Sequence, residues 1–151
     1  MGGLNAVART PSDEFVAVGM NGEIWRSPSS HDAWVKEASP TQVGLSAVFV
    51  NAAGIETAVG QTGTIVQSRG AGWEDMAYRG PQGLDFTAAV DFASQMLLAD
   101  GHSLRRLKDG ALELVDLGVP QVVPCARLAA GFGMVVGCAP KELFFSRDAG
   151  S

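Results

Sequence analysis

Residues 4–27 recur 41 positions further along the chain. Leu4-Asn5-Ala6-Val7 returns as Leu45-Ser46-Ala47-Val48, Ala17-Val18-Gly19 as Ala58-Val59-Gly60, and Asn21-Gly22-Glu23-Ile24 as Thr62-Gly63-Thr64-Ile65. The pairs Leu4 and Leu45, Gly19 and Gly60, Gly22 and Gly63, and Ser27 and Ser68 share one spacing of 41, and Trp34 and Trp73 follow them. A third unit is more diverged, with Leu84-Asp85-Phe86, Met96–Ala99, Leu104–Leu107, and Leu112–Val115 where the Trp-bearing segment stood. A fourth runs through Cys125–Leu128, Met134–Gly137 and Glu142–Ser146, and Ser151 comes before any fourth segment. Self-similarity at a fixed period near 40 residues marks a repeat architecture, in which one unit cannot bury its faces alone.

Each segment is four to seven residues rich in β-branched and aromatic types, bounded by Gly, Pro, Asn, Asp or Ser, which reads as a strand. Asn21-Gly22 and Thr62-Gly63 fall where a tight hairpin needs positive φ. The second segments (15–18, 57–59, 96–99 and 134–136) are apolar on both faces, as strands covered on both sides are. The third segments alternate: Ile24 and Arg26 share one face, Glu23, Trp25 and Ser27 the other. Stacking such sheets radially buries every inner face, so the expected fold is all-β, a β-propeller-type array of four-stranded antiparallel blades, three complete and a fourth lacking its outer strand. The units span residues 4–43, 44–83, 84–121 and 122–151 of one repeat domain.

Composition narrows the function. The 151 residues are 46% hydrophobic and 18% charged, enough apolar matter for a core and too little charge for a disordered chain. A net charge of −5 argues against nucleic acid, which calls for a basic face. The one basic cluster, Arg105-Arg106-Lys108, reads as a solvated strand edge. No apolar run reaches the roughly 18–20 residues of a membrane span, and the N-terminal residues do not read as a signal peptide. Two cysteines with two histidines at unrelated spacings do not form a zinc set, and no other metal or cofactor is expected. Cys125 and Cys138 fall on neighbouring strands, as two free thiols or a disulfide.

The segment after the third strand carries a resemblance. Ser146-Arg147-Asp148-Ala149-Gly150 is similar to the Asp-box, or bacterial neuraminidase repeat, Ser-x-Asp-x-Gly-x-x-Trp. Ser27 with Trp34 keeps the frame and loses the Asp and Gly; Ser68-Arg69-Gly70-Ala71-Gly72-Trp73 is shorter by two; the third unit keeps only Asp109-Gly110. The leading phrases also resemble the photosystem II stability-factor group of propellers. The resemblance implies blades whose Asp boxes are structural turns with the Trp packed between strands. It does not specify a function.

Sialidases share this blade type, and the resemblance implies for them three arginines on a carboxylate, a Tyr nucleophile with a Glu partner, and an acid Asp. Only Tyr78 is present, beside Arg79, and the arginines do not fall at equivalent positions. The carboxylate pairs Asp13-Glu14, Glu74-Asp75 and Glu113 with Asp116 read as solvated groups. His31 and His102 lack a nucleophile-elbow context. Gly131-Phe132-Gly133 reads as a hairpin turn, since no helix follows it to hold a phosphate.

A face is the better candidate. The turns between second and third strands put Asn21, Gln61, Asp100 and His102 at nearly equivalent positions, able either to ring a small polar ligand or peptide or simply to face water. These residues lead to a non-catalytic binding or assembly module, lectin-like or an assembly factor, for a peptide, protein or glycan. The alternatives are a glycan-active, sialidase-like hydrolase and a structural fragment of a longer propeller. The short fourth unit would leave Leu143, Phe144 and Phe145 near an unpaired edge. Either a longer chain covers them, or two chains form a homodimer whose half-rings combine into about eight blades.

Overall fold

The computed structural model describes residues 3–28 and 33–148. Each unit of the repeat closes into its own antiparallel sheet. The first holds β1 (Leu4–Arg9), β2 (Phe15–Gly19), β3 (Ile24–Ser27) and β4 (Val35–Glu37). The second holds β5 (Leu45–Val50), β6 (Glu56–Gly60), β7 (Ile65–Ser68) and β8 (Trp73–Asp75). The third holds β9 (Ala88–Phe92), β10 (Gln95–Ala99), β11 (Leu104–Lys108) and β12 (Ala111–Leu114), and the fourth β13 (Arg127–Gly131), β14 (Met134–Ala139) and β15 (Glu142–Ser146). In every sheet the strands lie in chain order. The architecture is all-β, four blades of a β-propeller, as the repeat predicts. Among the described residues the only helical turn is a short 3-10 segment, Gln61–Gly63.

Two glycine landmarks have direct steric causes. Gly22 and Gly63 both adopt φ +71°, in the left-handed region that tight hairpins require. At Gly60 a Cβ would stand 1.9 Å from the Gly44 carbonyl oxygen, because the end of β6 presses on the entry to β5. Blades one and two also share register. Val7 pairs with Ala17, Ala17 with Trp25 and Trp25 with Lys36, while Val48 pairs with Ala58, Ala58 with Val66 and Val66 with Asp75.

The core is a series of layers between blades. Val16, Val18 and Ile24 of the first blade meet Val48, Ala58 and Val66 of the second. Val59 and Ile65 of the second meet Ala89, Leu98 and Leu112 of the third. Ala88, Leu97 and Leu104 of the third meet Cys125 and Val135 of the fourth, with Leu128 and Phe144 alongside. Among the described residues no fourth layer joins the last blade to the first.

Several expectations change. Trp34 lies outside β4 and is 36% exposed, whereas Trp73 opens β8 and is 8% exposed, so only the second unit uses its Trp as packing between sheets. Arg105 and Arg106 are not a solvated edge: Arg105 turns to Asp100, and Arg106 is buried and paired with Glu113. Of the Asp13-Glu14 pair, Asp13 is solvated as expected, 71% exposed beside Arg9, whereas Glu14 is partly buried and bonds Arg26. Cys125 and Cys138 are both free thiols, the first buried. His31, and the last Asp-box residues Ala149 and Gly150, lie outside the described residues.

Candidate functional site

The polar turn residues sit on equivalent hairpins. Asn21 lies between β2 and β3, Gln61 between β6 and β7, and Asp100 and His102 between β10 and β11. Their roles differ. Asp100 Oδ1 accepts from the amides of His102 (2.9 Å) and Ser103 (2.7 Å), and Oδ2 accepts from Ser103 Oγ (2.9 Å). Burial alone would raise the Asp100 carboxyl, but these bonds and Arg105 outweigh it and hold it below the usual carboxylate range. That carboxylate shapes its own turn. Gln61 Oε1 accepts from the Gly44 amide, tying blade two's turn to its own first strand. Asn21 and His102 are exposed. Beyond the Asp100–His102 turn, no hydrogen bond found here joins one of these four to another.

The hydrolase constellation does not assemble. The Tyr78 hydroxyl donates to the Gly63 carbonyl (2.9 Å), and burial raises its pKa, the reverse of an activated nucleophile. Arg79 donates to the Asp109 carbonyl, across to the third blade. Glu74 and Asp75 are exposed on β8. Among the described residues no three His, Cys, Asp or Glu side chains gather as a metal set, and no helix is long and apolar enough to cross a membrane.

The densest charge cluster instead pins the first two blades together. Arg26 Nη2 donates to Glu56 Oε2 (2.7 Å) and Nη1 to Glu56 Oε1 (2.9 Å), a bidentate pair across the blade boundary. The same guanidinium reaches Glu37 on β4 and Glu14 ahead of β2 (3.1 Å). Glu37 Oε2 also accepts from Trp73 Nε1 (2.6 Å) on the second blade. The Glu56 bond, foremost, raises the Arg26 pKa further still. Burial works to raise Glu37, yet the bonds from Arg26 and Trp73 prevail and lower it. Sequence spacing could not reveal this set, because its members come from four strands and a turn.

A concavity runs beside β15. It holds about 630 Å³ and is lined by Asp116, Leu117, Val119 and Val123 of the segment entering the fourth blade and by Phe144–Ser146 and Asp148. Among the described residues β15 has a strand partner, β14, on one side only; in the other blades that outer side is filled by β4, β8 or β12. The filling strands bury Trp73 in blade two and Leu112 in blade three. The groove therefore combines a strand edge that no described strand pairs, five apolar side chains (Leu117, Val119, Val123, Phe144 and Phe145) and two carboxylates. The sequence signalled only its β15 side, through Leu143–Phe145.

Apolar side chains are exposed at both ends of the array. On the outer face of the first blade Val7 is 61% exposed; on that of the fourth, Leu143 is 78% and Phe145 67% exposed.

No family model matches the chain. It is 30% identical over 142 residues to the immune protein Tsi7 of Pseudomonas aeruginosa, an alignment that takes in 94% of this chain and 45% of that protein. The chain thus spans less than half the length of this curated relative. Among solved structures it superposes on virginiamycin B lyase from Staphylococcus aureus (TM-score 0.71, 8% identity, 95% of this chain and 55% of that one). It superposes equally on the computationally designed Ika4 protein (0.71, 14%, 97% and 91%), and on YCF48 from Cyanidioschyzon merolae (0.63, 10%, 96% and 56%). At these identities the superpositions establish the propeller fold alone.

Proposed function

We propose that the chain is a non-catalytic binding module of propeller type, that it recognises a protein partner, and that it completes its ring by pairing with a second copy. The groove beside β15 carries the reading. A free strand edge offers backbone donors and acceptors to an extended peptide, and an apolar floor takes alternate side chains. The groove's ionisable groups are Asp116 and Asp148, and the Ser146 hydroxyl beside them donates to the Asp148 carbonyl (2.8 Å), a turn contact. Likeness to an immune protein along 94% of the chain supports a protein rather than a glycan as the partner.

Asn21, Gln61 and His102 supply polar contacts on the turn surface in this reading, with Asp100 holding the third turn in shape. The four units, with limits near residues 43, 83 and 121, act as one repeat domain of Asp-box-type blades. In support of the blade type, Ser68 Oγ accepts from the Gly70 amide (3.2 Å) and Ser146 Oγ from the Asp148 amide (3.3 Å), the same Ser-led turn in two blades.

The test is capture followed by measurement. The immobilised chain should retain one protein reproducibly from extracts of its source. That protein, purified, should bind in calorimetry and weaken at least about 10-fold against a Leu117→Arg, Val119→Arg variant that fills the groove. Binding unchanged by those substitutions, selective retention of a glycan on an array, or turnover of a sialoside would sink the reading.

A further inference from the structure

We infer that the outer face of the fourth blade docks on the outer face of the first blade of a second copy, so that two chains close head to tail with two identical, heterologous contacts. The inference rests on the self-association part of the reading above.

Its basis is the repeat itself. Each internal junction joins two unlike faces. One is the row Val48, Ala58 and Val66 of blade two, buried against blade one. The register-equivalent row of blade one is Val7, Ala17 and Trp25; no described blade packs on it, but Ala17 is buried and Trp25 half-buried, so Val7 is its exposed member. The other kind of face presents Val18 and Ile24 in blade one, and Val59 and Ile65 in blade two, each buried by the blade that follows. Counting back from the matching serines, Ser27, Ser68 and Ser146, Leu143 stands where Ile24 and Ile65 stand. Ile24 is fully buried; Leu143 is 78% exposed. Phe144, one residue on, matches Val66 and packs back toward blade three as Val66 packs toward blade one. The fourth blade thus keeps both faces of the pattern, and its forward face, with Val136, Leu143 and Phe145, is bare.

The two end faces therefore carry the unlike halves of the blade-to-blade contact, Val7 exposed on one and Val136, Leu143 and Phe145 on the other. Pairing them continues an interface that the chain already makes three times. The second copy is the occupant that presents both halves at once, and two contacts made together gain from effective concentration. A two-fold closed pair gives eight blades. Heterologous contacts that close make rings, and those that fail to close make open chains.

Two exposed side chains provide the test, since neither carries the chain's own core: Val7→Arg on the first face and Leu143→Arg on the fourth. Light scattering on the unaltered chain at about 100 μM should give two-chain particles, and circular dichroism should show both variants folded. Either variant alone has one side of every contact charged, so its association should weaken at least about 100-fold and it should run as one chain. An equimolar mixture keeps one intact contact, Leu143 of the first variant against Val7 of the second, and should recover a one-to-one pair. A single-chain wild type, a variant that still pairs with itself, or a mixture that stays single would overturn the inference. The outcomes separate from those of partner capture: a chain that pairs but retains no protein removes the partner and leaves this contact standing. A single chain that retains a protein does the reverse.

Discussion

Replacing Arg26 by Met tests whether the charge cluster fastens the first blade to the second. The substitution keeps the packing stem and removes the guanidinium, leaving Glu14, Glu37 and Glu56 facing one another around the Trp73 indole. Breaking a buried pair by removing one partner costs about 3–5 kcal/mol, because the remaining charge is left uncompensated. Here the three carboxylate side chains retain between 11% and 33% exposure, so water moderates the penalty and the lower end, about 3 kcal/mol, applies. With a urea slope of roughly 2 kcal/mol/M, the unfolding midpoint should fall by about 1.5 M. Arg26→Lys, which keeps charge but not the bidentate fork, should lose about half as much. The pH dependence has a definite sign. Glu37 titrates lower folded than unfolded, so its contribution is present above the ordinary Glu value of about 4.3 and is lost as pH falls through the folded value. In the Met variant Glu37 loses the Arg26 bond that lowers it and keeps the burial that raises it, so the loss of stability on acidification should be shallower than in the unaltered chain. A midpoint shift under about 0.3 M, or an unchanged acid slope, would refute the clamp.

The remaining predictions address single features. Trp73→Phe keeps the ring packing and deletes the donor to Glu37; urea unfolding should show a loss of about 1–2 kcal/mol, smaller in an Arg26→Met background because the two share a partner. Gly60→Ala drives a Cβ into the Gly44 carbonyl and should cost at least about 2 kcal/mol, whereas Gly54→Ala, where nothing lies within 4 Å, meets only the strain of φ +79° and should cost about 1 kcal/mol; thermal midpoints will rank them. The buried Cys125 thiol, pushed up to about 11 chiefly by burial, should resist a disulfide reagent at pH 8 until the chain unfolds, while half-buried Cys138 reacts first; two equally fast thiols would contradict the packing around Val135.

The fold was legible because the repeat is enforced sterically. Gly60 recurs with Gly19 since each closes a second strand against the entry to its blade, where a Cβ meets the carbonyl of Gly44 or Gly3. Gly22 recurs with Gly63 since both turns need positive φ. Such constraints leave the same letter at the same spacing. The charge cluster left no such trace, since Glu14, Glu37 and Glu56 are ordinary surface letters until the sheet stacks them around Arg26. Trp34 and Trp73 look alike in sequence, but Trp73 opens its strand and donates to Glu37, while Trp34 lies outside β4. The groove escaped notice for a related reason. Asp116–Val123 has no strand period, and it gains meaning only beside the open edge of β15.

If two copies pair through the outer faces of the first and fourth blades, as proposed, the pairing must be visible in solution. Native mass spectrometry of the unmodified chain over a dilution series tests it most directly. The account predicts two-chain particles at high concentration, dissociating to single chains on dilution, with no ladder of longer species. Single chains throughout, with Val7 and Leu143 as open to surface labelling as they are in one isolated chain, would contradict it.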